Sequence, residues 1–181
     1  MFMVSPFRSK EPLDIFYEAH YKYRNNSNIF NLDFLNDDLE MQENLERFNP
    51  QNRKIIIWKP RCHRVEKAAP FRNTSLETIL PLLDKIHADG GIVFGVLYGD
   101  AEIQHPALID LRNITNNFTR EKFIFYIDSI CDYAIVGQSG GATPLHIFMK
   151  PMLVYDVAFP YTIYFNGPKT IVSLKTANYK N

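Results

Sequence analysis

Gly137-Gln138-Ser139-Gly140-Gly141 is the stretch of this sequence whose residue types best suit an anion. Glycines between a buried strand and a helix let backbone N–H groups approach a phosphate closely. Ser139 and Thr143 add hydroxyl donors, and His146, on the helix that follows, either contacts a ligand's base or phosphate or is satisfied within its helix. The stretch matches neither the GxGxxG fingerprint nor a P-loop, so a purely structural turn is the competing reading. A second group is basic: Arg61, His63 and Arg64 share one short loop after an apolar run. They either meet the same anion or are solvated loop charges. If the strand order is 3-2-1-4-5, strands one and four flank the topological switch point, and this loop faces the glycine turn across the crevice.

Other chemistries fit less well. The letters of Gly137-Gln138-Ser139-Gly140-Gly141 fit the hydrolase pattern GxSxG, but a hydrolase is taken as the poorer reading of this turn. Asp100, Glu102 and His105 lie close together, but no DxD, HExxH or two-His-one-carboxylate spacing supports a metal, and neither a metal nor an organic cofactor is expected. Cys62 and Cys131 belong to no CxxC or zinc array and read as reduced thiols of a cytoplasmic protein. Lys plus Arg and Asp plus Glu both number 20, so no global field draws the chain to nucleic acid or an anionic membrane. The first residues carry no secretory pattern, and no apolar run is long enough to span a bilayer. Asn-x-Ser/Thr triplets at Asn25, Asn73, Asn113 and Asn117 therefore read as turn and cap chemistry.

The elements that must position these residues follow from periodicity. Hydrophobic residues make up 46% of the 181, with 14 Phe and 10 Tyr, enough for one real core. Residues 1–50 read as a helical lead-in: Leu13, Phe16, Tyr17, His20 and Tyr21 predict a helix over 12–24, and Asp37-Asp38-Leu39-Glu40 opens a shorter one up to Pro50. Residues 51–181 read as the main domain. Continuous apolar runs predict buried strands at Ile55–Trp58, Ile92–Leu97, Ala107–Leu111, Tyr133–Val136 and Pro151–Tyr155, with a sixth at Thr170–Leu174. Between them, a capping box at Thr74-Ser75-Leu76-Glu77 opens a helix in which Pro81 predicts a kink or a late start, and Thr119 is expected to cap the next. Strands alternating with helices give an α/β, Rossmann-like domain with a mainly parallel sheet of five to six strands.

With this order in place, the chain resembles bacterial glycosyltransferases of GT-B architecture, in the layout of the heptosyltransferase-like and O-fucosyltransferase-like groups. The resemblance spans roughly residues 34–175. It is carried by Phe71-Arg72-Asn73, the helix with Leu80-Pro81, the strand after Gly90-Gly91, Asp110 before a capped helix, the run Cys131–Gly140, and Pro144–Pro151 as a helix leading to a Pro-led strand. It implies the C-terminal, donor-binding half of such an enzyme. It also implies a nucleotide-diphospho-sugar on Ser139, Gly140 and Gly141, phosphate contacts from Arg61, Arg64 and Arg72, and an acceptor domain or partner chain that supplies the catalytic base. The family turn usually reads Gly-Thr-Asp-Ser-Gly, whereas here Gln138 stands for two of those residues and the Asp is missing. The alternative is a non-catalytic nucleotide-binding or interaction module of flavodoxin-like shape, since fold alone does not give function.

Overall fold

The computed structural model describes residues 38–61, 73–74, 76–98, 102–114, 116–158 and 169–175. The helix expected over 12–24 lies outside them. Six strands make one sheet: β1 (Ile55–Lys59), β2 (Ile92–Gly95), β3 (Leu108–Asp110), β4 (Tyr133–Gly137), β5 (Met152–Val157) and β6 (Thr170–Leu174). Their order is β3-β2-β1-β4-β5-β6, and every neighbouring pair is parallel. This is a doubly wound, Rossmann-like sheet, with its switch point between β1 and β4 as the sequence predicts.

The continuous apolar runs are explained by burial on both faces. All of β1 and β2 is buried. On one face, Ile56 and Trp58 of β1 pack with Leu83 of helix α2 (Leu80–Ala88), Val93, Ile135 and Tyr155. Within this layer the Trp58 indole N–H donates to the Tyr155 hydroxyl at 2.8 Å. On the other face lie α1 (Leu39–Phe48) and α3 (Asn117–Ile130), where the rings of Phe48, Phe94 and Phe123 meet at centroid distances of 5.9–6.5 Å. Asp132 ties the entries of β1 and β4 together, its carboxylate accepting from the Ile55 N–H at 2.8 Å.

Local chemistry sets the helix ends. Pro81 falls in the first turn of α2, and a 3₁₀ turn over Leu76–Ile79 precedes it, so the helix starts late and is not kinked. The cap of α3 is Asn116, not Thr119: the Asn116 side chain accepts from the N–H groups of Phe118 and Thr119. The Thr119 hydroxyl instead donates to Glu40 of α1 at 3.0 Å.

Gly137, at the end of β4, has a packing reason to be glycine. A Cβ there would sit 2.6 Å from the Arg61 backbone nitrogen and 3.1 Å from Thr74 Oγ1. The Arg61 backbone cannot move aside, because its carbonyl accepts from the Thr74 N–H at 3.0 Å. Gly137→Ala should therefore lose about 1–3 kcal/mol in denaturant unfolding. Gly141→Ala, whose Cβ would make only ordinary contacts of 3.4 Å and more, should lose much less.

Candidate functional site

Beyond the carboxyl ends of β1 and β4, the sheet opens into a crevice of about 630 Å³, a usual size for a small-molecule site. The loop after β1 contributes Pro60 and Arg61, and the segment after β2 contributes Val96 and Tyr98. Glu121, Ile124, Phe125 and Asp128 of α3 form one wall, and Ser139, Gly140, Gly141 and Pro144 form the wall after β4. Lys59, the last residue of β1, reaches in from below.

Sequence position explains the last residue. Ile55, Ile57 and Lys59 alternate onto the α3 face, so the strand carries a cation where its predecessors carry apolar groups. Its partner is Asp128, one helical turn after Ile124 on the buried face of α3. Lys59 Nζ donates to Asp128 Oδ2 at 2.6 Å and to the Gly141 carbonyl at 3.2 Å. The two side chains are 8% and 1% exposed. Burial raises Asp128 to about 6 although Lys59 beside it pulls the other way, and its Oδ1 has no hydrogen-bond donor. Cys131, three residues on, is a buried thiol pushed up to about 12 by burial, which makes it inert.

Of the residues singled out in the sequence, Arg61, Ser139, Gly140 and Gly141 come together on the crevice. Arg61 donates from its guanidinium to the Gln138 carbonyl at 3.2 Å, spanning the switch point. Gln138 is buried and its side-chain oxygen accepts from the Ala158 N–H at 3.2 Å. Thr143 is exposed, and neither it nor the half-buried His146 lines the crevice. Arg64, Arg72 and His63 lie outside the described residues. His105 is held locally, its Nδ1 accepting from the Ala107 N–H and its Nε2 lying 3.1 Å from Asp84.

The helix behind the glycine turn, α4 (Thr143–Ile147), has only five residues. So short a helix carries little macrodipole, and any pull on an anion must come from elsewhere. One source is the turn itself: the N–H groups of Gly141 and Ala142 reach Ser139 oxygens only at 3.4 and 3.5 Å, long bonds that a better acceptor can replace. The others are Lys59 and Arg61. Gly140 is exposed, and a Cβ there would meet no protein atom within 4 Å.

The sheet order, the parallel register and the crevice at the switch point define a doubly wound, Rossmann-like domain, and a solved structure shares that fold. The chain is similar to a histidine-to-alanine variant of the wall teichoic acid polymerase TagF, with a TM-score of 0.51 at 18% identity over 80% of this chain and 37% of that one. A second TagF structure matches with a TM-score of 0.47 at 20% identity, over 73% of this chain and 31% of that one. The chain thus spans about a third of the length of the TagF chains. No protein-family model and no curated protein sequence matches it. Among the described residues, no helix is long and apolar enough to cross a membrane.

Proposed function

We propose that this domain is the donor-binding half of a glycosyltransferase and holds a nucleotide-diphospho-sugar in the crevice at the switch point. The observation that carries this reading is the juxtaposition of a bare glycine wall, Gly140-Gly141, with Lys59 and Arg61 beside it, all lining an open crevice of about 630 Å³. Open parallel sheets take their ligands there. The resemblance in sequence and the glycosyltransferase-like fold both support it. The diphosphate lies against the Ser139–Gly141 backbone, and the two cations stabilise it as it departs with the nucleotide. Arg64, Arg72 and His63 are assigned to the same phosphates on sequence pattern alone. The acceptor and the catalytic base come from another domain or chain, so this half binds the donor without completing transfer.

The test is a thermal-unfolding panel of nucleotide diphosphates and nucleotide sugars. A true ligand at about a hundredfold excess over its Kd should stabilise the fold by about 2.7 kcal/mol. Binding should also survive EDTA, because the sequence has no DxD triplet and no group of three His, Cys, Asp or Glu side chains suited to a metal occurs among the described residues. Affinity that requires Mg²⁺ or Mn²⁺ would overturn that second expectation, and a panel without any stabilising member would overturn the first.

A further inference from the structure

The described residues lining the crevice carry balanced charge: Lys59 and Arg61 stand against Asp128 and Glu121. An anionic ligand entering such a site gains little unless the balance changes. Asp128 is where it can change. Its carboxylate is 1% exposed, and among the described residues its Oδ1 lacks any donor and Lys59 is the one cation bonded to it. Lys59, for its part, already lies under the glycine wall, since the same Nζ that donates to Asp128 donates to the Gly141 carbonyl at 3.2 Å.

We propose that a diphosphate entering the crevice draws one proton from solvent onto Asp128, and that Lys59, released from the carboxylate, turns to the phosphate oxygens. This rests on the donor-binding reading and makes Lys59 a phosphate-contacting residue of that site. The step is a protonation and nothing else. Hydronium or a buffer acid gives its proton to a carboxylate oxygen, Asp128 becomes neutral, and Lys59 remains an ammonium. The crevice then carries one more positive charge, which the ligand's own charge offsets.

The direction of the pH dependence follows from the environment of Asp128. Burial already lifts it to about 6 against the pull of Lys59. Placing ligand charge nearby and weakening the Lys59 contact both lift it further. Above about 6 the free protein has Asp128 ionised, whereas the complex keeps the proton up to its own, higher value. Affinity therefore rises as pH falls through that window and levels off below about 6, where both states carry the proton. The other charged or titratable groups on the crevice are Arg61 after β1, Tyr98 after β2 and Glu121 on α3; Cys131, next to α3, feels Lys150, Asp132 and Asp128 itself, and α4, which packs against α3, carries His146. Histidine as a residue type changes charge near this range, so the experiment separates His146 from Asp128.

The probe is the tightest binder among UDP-, GDP-, ADP- and dTDP-linked hexoses, whose diphosphate esters do not titrate near neutrality. Calorimetry in two buffers of different ionisation enthalpy, at about pH 7.5, should show uptake of about 0.5–1 proton, and affinity should be about tenfold tighter at pH 6 than at pH 8. Asp128→Asn should abolish both the uptake and the pH dependence, while His146→Gln should keep them. Binding by the parent with no uptake and a flat pH profile would overturn this inference and leave the donor-binding reading standing. Loss of the uptake in His146→Gln would overturn it too, whether or not Asp128→Asn folds. If no member of the panel binds at any pH, the donor-binding reading itself fails and takes this inference with it.

Discussion

Lys59→Met is expected to lose about 3–5 kcal/mol of folding stability near pH 8, and far less near pH 5, because it leaves a buried carboxylate without its counter-charge. Asp128 is 1% exposed and takes its hydrogen bonding from Lys59, its second oxygen having no donor. In the parent, Asp128 titrates at about 6 in the folded state, above its ordinary value. A carboxylate raised on folding contributes most at low pH. Its contribution falls as pH rises from the unfolded value to the folded one, and it is constant above that. Removing Lys59 raises the folded value further, so the variant goes on losing stability above about 6, where the parent has levelled off. The gap between them should open as pH rises and close as Asp128 takes its proton. Denaturant unfolding at several pH values measures it. A gap of constant size from pH 5 to pH 8 would mean that Lys59 acts through packing of its stem alone. The double variant Lys59→Met with Asp128→Leu should recover most of the loss at every pH, since an apolar pair of similar volume replaces a buried ion pair at little cost. Near pH 8 it should still bind nucleotide sugar poorly, which separates what the pair does for the fold from what it does for the ligand.

The same two residues show how far the sequence could be read. The strands were legible because each is a short apolar run, and a run buried on both faces announces a parallel sheet without needing its neighbours. The glycine turn was legible because its residues are adjacent. Lys59 and Asp128 are 69 residues apart, and each taken singly looks like an ordinary charge at the edge of an apolar run. Asp128 did carry a signal: it follows Ile124 by one helical turn, on a face otherwise filled by Phe123, Ile124 and Ile127, and a carboxylate on such a face needs a partner. Its identity follows only once β1 and α3 are known to pack together. The α3 cap was missed for a different reason. Asn116 and Thr119 are both good capping types, and the apolar face begins far enough downstream to allow either start. The contact that decides between them, the Thr119 hydroxyl on Glu40 of α1, is tertiary.

Gly140→Val should weaken nucleotide-diphosphate binding by about 1.5–3 kcal/mol, roughly ten- to a hundredfold, while leaving the fold as stable as the parent. The loss corresponds to about one charge-assisted hydrogen bond between the backbone and the ligand's phosphate. Glycine is not required at this position by the protein itself. Its φ is not among the positive values of the described residues, and a Cβ would meet no protein atom within 4 Å. The valine side chain therefore occupies space that belongs to the crevice and to nothing else. In this it differs from Gly137, where a Cβ would strike the Arg61 backbone at 2.6 Å and the expected loss is one of stability. Comparing the two glycines removes the ambiguity of either alone, since the donor-binding reading requires binding to fail without unfolding at Gly140 and unfolding to become easier at Gly137. Thermal unfolding without ligand, followed by calorimetry with the tightest member of the nucleotide panel, gives both quantities. If folded Gly140→Val bound that ligand as tightly as the parent, the glycine turn would be a connection between β4 and α4 only. The anion would then have to be sought along the side chains of Lys59 and Arg61 alone.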